Sequence, residues 1–308
     1  MAAGRALRGL LHVALIGLLS PLVVHGQRIA HQDTHRLLDT SESQLDVGIA
    51  ALTLAKEVYP DLDVTAYSKK IDALVGQARQ LIIRNGRNDP DSVIRSLNSF
   101  LYKIHGLYYD PSVEAWEKRE NYFLVKILDT KEGTCANMPV LYMAVAQRLG
   151  YPIYAVSIPE HQFLRYVSPG LKEANIEATG GGGHIPDERY IKESRVDDRG
   201  LKNSDYLKTL SNREWLAHMI DTTAVTLGGQ GKLDRAIYLL ERAVTINPKC
   251  AGCYHNLGAN YLTKAKQQTT REPALKYWQE ADRAFSKAKE LGYVMPFTKR
   301  ADKRIREN

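Results

Sequence analysis

The sequence contains few of the features that mark several common protein classes. Cysteine occurs only three times in 308 residues, which excludes a small domain held together by a disulfide framework. The sequence has one long apolar run, at the N-terminus, so a membrane protein with several spans is excluded. The remaining composition is 44% hydrophobic and 25% charged, and the mean hydropathy is -0.34. These values are typical of a globular protein.

The chain also lacks a strong excess of one charge. Its 42 Lys and Arg residues face 35 Asp and Glu residues, and the resulting net charge of +7 is spread along the sequence. A moderate, dispersed positive charge suits an acidic partner or an envelope surface, but it does not indicate nucleic-acid binding. We therefore expect no nucleic-acid partner. We expect the basic residues near the end to form a solvated helix face: Lys299, Arg300, Lys303, Arg304 and Arg306.

The N-terminus has the pattern of a targeting segment. Arg5 and Arg8 form a basic stretch, and an apolar run of about 15 residues follows from Leu10 to Val24, which is short of the ~20 needed to span a bilayer. Val24 and Gly26 are small enough for the −3 and −1 positions of a signal-peptidase site, so we predict cleavage after Gly26 and a signal peptide over residues 1–26. No Asn-X-Ser/Thr sequence occurs, which favours a bacterial exported chain. We expect a secreted or periplasmic protein with no stable membrane span after cleavage.

The rest of the sequence divides into three stretches. Residues 27–115 carry helical apolar spacing and are expected to support the next stretch. Residues 116–212 contain an apolar helix stripe followed by short β-rich runs, a pattern that predicts an α+β domain with antiparallel strands. Residues 213–308 are helical again and internally repetitive. The predicted strands are Ile153–Ile158, Gln162–Val167 and Asn175–Thr179.

The repetition near the C-terminus resembles the tetratricopeptide repeat. Small and apolar residues recur at matching offsets in about two repeats, which would let paired helices approach closely. Two repeats bury little by themselves, so we expect them to pack on the preceding domain and to bind a protein or peptide partner. The matching positions are Ala236, Leu240, Ala243, Pro248, Tyr254, Leu257, Gly258, Tyr261, Ala281, Phe285 and Ala288.

Candidate chemistry centres on Cys135. The cysteine directly precedes the apolar helix stripe, with Thr134 as candidate N-cap, so we expect it in the first helical turn. Backbone N–H groups and the helix dipole would lower the pKa of a thiol there and could stabilise an oxyanion. His161 follows 26 residues later beside a strand and is the expected base for the thiol.

A third residue would orient the imidazole of His161. Asn175 and Glu177 lie two apart in a predicted strand, so both side chains would point to one face. Glu177 is preferred because a carboxylate also stabilises an imidazolium, and Asn175 is kept as the alternative. No metal or other cofactor is expected.

The order of cysteine on a helix, histidine on the next strand and acid on the following strand resembles the transglutaminase-like superfamily. More narrowly, several stretches resemble the SirB1-type domain, which commonly precedes C-terminal tetratricopeptide repeats. The resemblance implies a papain/transglutaminase-like core and acyl transfer through cysteine. If Glu177 is the third member, it stands where many superfamily members carry Asp. The matching stretches are residues 121–124, 133–135, 141–142, 148–152 and 159–166, with residues 54–55, 59–60 and 62–63 upstream.

The two remaining cysteines, Cys250 and Cys253, form a CxxC sequence. No strand–helix pattern of a thioredoxin surrounds them, and no second pair completes a zinc site. In an exported protein they would be either a local disulfide or two half-buried packing residues, and the disulfide is favoured.

Three functions of different classes fit these patterns. The first is an exported cysteine enzyme, a peptide or amide hydrolase or a transglutaminase, with Cys135, His161 and Glu177 as its site. The second is a non-catalytic scaffold on the same fold, which would be indifferent to Cys135→Ala. The third is an envelope-binding protein, whose binding would depend strongly on salt. Hydrolysis and cross-linking share one thioester and are not separated by sequence.

Overall fold

A computed structural model describes residues 21–86, 88–168 and 174–295. The first 20 residues of the predicted signal peptide and the basic residues from Lys299 onward lie outside this part of the chain. The described residues are mostly helical, with two small sheets. The helices are α1 (Pro21–Asp39), α2 (Val47–Val58), α3 (Val64–Asn85), α4 (Pro90–Asn98), α5 (Val113–Glu117), α6 (Leu124–Thr130), α7 (Met138–Leu149), α8 (Asp187–Ser194), α9 (Asp198–Asn203), α10 (Asn212–Gly229), α11 (Leu233–Ile246), α12 (Ala251–Lys266) and α13 (Arg271–Glu290). The strands are β1 (Tyr108–Tyr109), β2 (Glu132–Gly133), β3 (Ile153–Ile158), β4 (His161–Tyr166) and β5 (Ala174–Ile176).

The N-terminal helices surround α2. Asp46 and Asp63 cap α2 and α3, because each side chain accepts a hydrogen bond from the backbone N–H three residues later. Ten of the twelve residues of α2 are buried. A helix that is apolar on nearly all sides must be covered on all sides. Accordingly, α2 packs against α1, α3, α7 and α10.

The second stretch contains α7 and a three-stranded sheet. Helix α7 ends at Gly150, whose φ of 84° lies in the left-handed region that a helix C-terminus commonly requires. The sheet has the antiparallel order β3-β4-β5, and β3 and β4 are joined by the tight turn Pro159–Glu160. The predicted third strand is shorter in the structure, since β5 ends at Ile176 and a 3-10 turn follows.

The C-terminal helices α10 to α13 pack consecutively, each against the next. Gly258 explains the close approach of α12 and α13, because a Cβ at this position would lie 2.8 Å from Cδ1 of Phe285. One apolar core extends from Leu37 in α1 to Ala284 in α13, and two smaller apolar clusters are separate from it. The helices therefore share their core with the rest of the chain. A tetratricopeptide arrangement remains a prediction, as do the domain boundaries at residues 115 and 212.

Helix α7 begins later than the sequence suggested. Its first residue is Met138 and its N-cap is Asn137, so Cys135 lies in the preceding turn and not within the first helical turn. The expectation that Thr134 caps this helix is wrong. Its hydroxyl accepts from the backbone N–H of Ala136, which precedes the helix, and its own N–H donates to Asn137 Oδ1 at 2.8 Å. Within the described part of the chain, no helix combines the length and apolarity required to span a bilayer.

Candidate active site

A cavity of about 230 Å³ separates the sheet from the C-terminal helices. One wall carries Cys135, from the turn before α7, and His161, from the start of β4. The opposite wall carries His218 and Asp221 from α10 and Asn256 from α12. The cavity is therefore built jointly by the α+β part of the chain and the helical part that follows it.

The turn that holds Cys135 is fixed by the buried side chain of Asn137. Its Oδ1 accepts from the backbone N–H of Thr134, and its Nδ2 donates to the carbonyl oxygens of Asn121 at 2.8 Å and Phe123 at 3.2 Å. The Cys135 thiol is 5% exposed, and its Sγ lies 4.0 Å from the carbonyl oxygen of Glu160. These contacts position the sulfur beside the β3–β4 turn.

The pKa of Cys135 differs from the sequence-based expectation. Burial, together with the negative charge of Glu177, raises the pKa of this thiol to about 12, although its own backbone N–H partly opposes the shift. The prediction of a lowered pKa is wrong because it considered only the helix terminus. Desolvation of the thiolate is the larger effect in this cavity, and the thiol is neutral in the free protein at neutral pH.

His161 and Glu177 form a close pair. The Nε2 atom of His161 lies 2.7 Å from Oε2 of Glu177, with side-chain exposures of 25% and 7%. Because Nε2 is engaged by the carboxylate, Nδ1 is the ring nitrogen through which His161 would exchange a proton with a thiol. A carboxylate at Nε2 fixes both the ring orientation and the tautomer in which Nδ1 is the acceptor.

The Glu177 carboxylate is itself held by two further side chains. Its Oε1 accepts from the hydroxyl and backbone N–H of Thr179, and its Oε2 accepts from the hydroxyl of Tyr190 at 2.7 Å. Burial opposes the charge, but the bonds from His161, Thr179 and Tyr190 outweigh it and lower the pKa of Glu177 to about 2. Glu177 is therefore ionised throughout the physiological range.

Asn175 makes different contacts from those of Glu177. Its Oδ1 accepts from Arg165 Nε at 2.8 Å, and its Nδ2 donates to the Asp187 carboxylate. Arg165 also makes a two-pronged contact with Asp187, at 2.7 and 2.8 Å. This buried group attaches α8 to the sheet and so places Tyr190 over Glu177. The described hydrogen bonds of Asn175 join it to this group and not to His161.

The opposite wall contains polar groups that the sequence analysis did not single out. His218 Nε2 lies 2.7 Å from Asp205 Oδ2, and Asn256 Nδ2 donates to both carboxylate oxygens of Asp221 at 2.9 Å. Burial opposes a charge on His218, but Asp205 raises its pKa above the ordinary value. One signal was present in the sequence: His218 and Asp221 lie three residues apart, on one face of a helix whose buried residues are mostly apolar.

Cys250 and Cys253 are joined by a disulfide at the start of α12, and Cys250 lines the cavity. Donor atoms of Asp205, His218 and Cys250 lie within 4.8 Å of one another, as in a metal site. However, the Cys250 sulfur is in the disulfide and offers no thiolate, while His218 and Asp205 are already bonded to each other. The donor set as it stands does not fit a metal ion.

The comparisons with known proteins agree with this arrangement. The family described as the transglutaminase-like superfamily matches residues 65–221, a span that includes Cys135, His161 and Glu177. The chain therefore belongs to the transglutaminase-like superfamily. Its match includes Asp221 and ends there, so it extends into α10.

Distant relatives are found in a bacterium. Two UPF0162 proteins of Xylella fastidiosa are each 24% identical to the chain. The one from strain 9a5c aligns over 263 residues, covering 79% of this chain and 86% of the relative. The one from strain Temecula1 / ATCC 700964 aligns over 248 residues, covering 74% and 81%. Among solved structures, menin aligns with 91% of this chain and 73% of its own, at a TM-score of 0.46 and 14% identity.

Proposed function

We propose that the protein is an exported cysteine acyl-transfer enzyme of the SirB1 type, a peptide or amide hydrolase or a transglutaminase. Cys135 is its nucleophile, His161 its general base and acid, and Glu177 orients His161. The observation that carries the proposal is the 2.7 Å contact between His161 and Glu177 in a cavity that Cys135 also lines. A histidine oriented by a carboxylate, in the same cavity as a free thiol, has the parts that nucleophilic catalysis requires.

The reaction proceeds in two stages. In the first, Cys135 Sγ forms a bond to the acyl carbon while His161 Nδ1 takes the thiol proton, and that proton then passes to the leaving amine as the C–N bond breaks. In the second, water or another amine attacks the thioester, gives its proton to His161 and releases Sγ, which regains a proton. The raised pKa of Cys135 favours proton transfer during the attack over a standing thiolate–imidazolium pair.

The C-terminal helices and the N-terminus add a substrate-binding role and a location to this proposal. Helices α10 to α13 act as tetratricopeptide-type repeats that hold a protein or peptide substrate. This assignment is supported by the repeated small residues and by the close Gly258–Phe285 contact. The basic and apolar N-terminus directs the chain to export, so the substrate is a secreted, periplasmic or envelope component.

The test uses p-nitrophenyl acetate, a small activated ester that delivers an acetyl group to a reactive thiol. The full chain should release p-nitrophenol and carry acetyl on Cys135, as read by peptide mass spectrometry. His161→Ala should slow acetylation by about 10²–10⁴-fold, the usual contribution of a general base. The matched control is His184→Ala, because His184 is exposed and does not line the cavity. Adding hydroxylamine then shows whether an amine resolves the thioester faster than water does.

One observation favours a second function, a non-catalytic protein-binding scaffold. Cys135 is 5% exposed and its pKa is about 12, as expected of a buried packing cysteine. If Cys135 is not acetylated, or if wild type and His161→Ala react equally slowly, the enzyme proposal is wrong and the scaffold remains. In that case Cys135→Ala would leave partner binding intact.

A further inference from the structure

The cavity is acidic although the chain is basic. The residues that the structure shows lining it include Glu160 and Asp221 but neither Lys nor Arg, whereas the whole sequence has a net charge of +7. A concave site lined by one sign of charge concentrates ligands of the opposite sign. The group that enters this cavity should therefore be positively charged.

Asp221 is the strongest carboxylate candidate for such a contact. It lies on α10, is half-buried, and faces the cavity. Its two oxygens share one donor, the neutral amide of Asn256, at 2.9 Å each. Among the described residues, the only positive group that influences its charge is His218. Each carboxylate oxygen can accept two hydrogen bonds, so Asp221 keeps acceptor capacity toward the cavity.

His218 does not neutralise this site. Its Nε2 is bonded to Asp205, at 2.7 Å, so a positive charge on His218 is balanced by that carboxylate. Asp221 and Glu160 remain as two negative charges on the cavity lining. Burial is the main cause that raises the pKa of Asp221 to about 6, and the carboxylate is still ionised at neutral pH. A half-buried, ionised carboxylate whose only described side-chain donor is a neutral amide is stabilised by a ligand that supplies the countercharge.

Asp221 lines the same cavity as Cys135 and His161. Tyr293 also lines this cavity, and its pKa is raised by burial and by the negative charges of Asp221 and Glu160. Glu160 in turn offers its carbonyl oxygen to the Cys135 thiol. The volume of about 230 Å³ is below the ~300–1,000 Å³ of typical ligand sites. One extended side chain of a substrate therefore fits this cavity better than the surface of a folded protein does.

We propose that Asp221 is a substrate-binding residue that holds a primary ammonium group, such as a lysine side chain, across the cavity from Cys135. This proposal deepens the function proposed above and rests on it for the reaction, but not for the binding. Asn256 positions the carboxylate, and the two act together as the specificity determinant that the C-terminal helices contribute.

Binding can be measured separately from chemistry. The probe is Nα-acetyl-lysine amide, and its neutral counterpart is Nα-acetyl-norleucine amide, which has the same chain without the ammonium. Calorimetric titration of the full chain should show tighter binding of the lysine probe. Asp221→Asn should weaken that binding by at least about tenfold, as expected for a hydrogen bond between charged groups. Binding of the norleucine probe should be unchanged. Asp282→Asn is the matched control, because Asp282 is exposed on α13 and does not line the cavity.

The outcomes separate this proposal from the enzyme proposal. Binding of the lysine probe that is lost in Asp221→Asn supports the site even if Cys135 is never acetylated, and Cys135→Ala should retain it. The site is refuted if wild type and Asp221→Asn bind the lysine probe equally. It is also refuted if the norleucine probe binds as tightly as the lysine probe, or if the lysine probe does not bind at millimolar concentration. Thermal unfolding of Asp221→Asn checks that the variant is folded.

Discussion

Two histidine–carboxylate pairs lie on opposite walls of one cavity, and they differ in the sulfur beside them. His161–Glu177 and His218–Asp205 have the same 2.7 Å contact through Nε2. The first pair shares its wall with Cys135, a free thiol, whereas the second lies beside Cys250, whose sulfur is in a disulfide. A histidine–carboxylate pair is therefore not in itself a catalytic unit, since the state of the neighbouring sulfur determines what it can do.

The two carboxylates also differ in how completely they are satisfied. Glu177 accepts from Thr179 and Tyr190 in addition to His161. Asp205 accepts from His218 and Asn247 through Oδ2, while its buried Oδ1 has no partner among the described residues. Loss of the histidine should therefore leave Glu177 stabilised but Asp205 largely uncompensated. The stability of the fold should therefore depend less on His161 than on His218.

The largest expected effect is a crossed response to removal of each histidine. His161→Ala should slow acetylation of Cys135 by about 10²–10⁴-fold and lower the free energy of unfolding by only ~1 kcal/mol, since Glu177 keeps its other donors. His218→Ala should lower the free energy of unfolding by about 3–5 kcal/mol, because it leaves a buried charge unpaired. Urea unfolding and acetylation rates measure both quantities. Equal losses of stability in the two variants would contradict this comparison.

Much of the wall that carries Cys135 and His161 was predictable from sequence because the spacing of its residues is local. Cys135 precedes a recognisable helix signal, and His161 lies at the start of a recognisable strand. Glu177 was chosen from the alternation of a predicted strand, although β5 ends one residue before it, at Ile176. The start of α7 was not predictable, because the Asn137 side chain folds back onto Thr134 and closes a turn that an apolar stripe does not reveal. The raised pKa of Cys135 depends on burial by distant elements and has no local signal.

The opposite wall was hardly predictable at all. Its polar residues lie on helices whose pattern otherwise indicates repeat packing, so Asp221 and His218 look like ordinary inward positions of α10. Their importance comes from the tertiary contact that brings α10 and α12 against the β3–β4 turn. Tyr190 was missed for a similar reason, since its role depends on the Arg165–Asp187 contact that docks α8 on the sheet. A sequence pattern predicts which face of a helix or strand is buried, but it does not predict which other elements pack against that face.

A second, smaller effect distinguishes the walls by the sign of their pH dependence. The pKa of Glu177 is lowered from 4.5 to about 2, so its charge stabilises the fold above pH 4.5 and this contribution disappears as pH falls toward 2. The pKa of Asp221 is raised from 3.8 to about 6, so its charge destabilises the fold as pH rises through 6. Each of these two pKa changes corresponds to roughly 3 kcal/mol.

Conservative amide variants should reveal these opposite signs. Glu177→Gln should be less stable than wild type at pH 7, and the gap should close toward pH 2. Asp221→Asn should be more stable than wild type at pH 8, and the gap should close below pH 4. Urea unfolding across this pH range measures both. If Asp221→Asn is destabilised at pH 8, the carboxylate is already paired within the fold, and its availability to a ligand would be contradicted.

The smallest expected effect concerns backbone strain in the turn that joins β3 and β4, which lines the cavity on the same wall as Cys135. Glu160 has a φ of 61°, in the left-handed region, and its carbonyl oxygen faces the Cys135 thiol. Glu160→Gly relieves a strain of about 1–2 kcal/mol, but it also increases the entropy of the unfolded chain by about 0.4–1 kcal/mol. Both Glu160→Gly and Glu160→Ala remove the carboxylate, but only glycine removes the strain. Because the relief of strain is larger than the entropy cost, Glu160→Gly should be more stable than Glu160→Ala by about 1 kcal/mol. Urea unfolding of the two variants gives this difference directly. If the strain also holds the turn against Cys135, Glu160→Gly should be acetylated more slowly than Glu160→Ala despite its greater stability, whereas equal rates would show that the strain has no part in positioning the thiol.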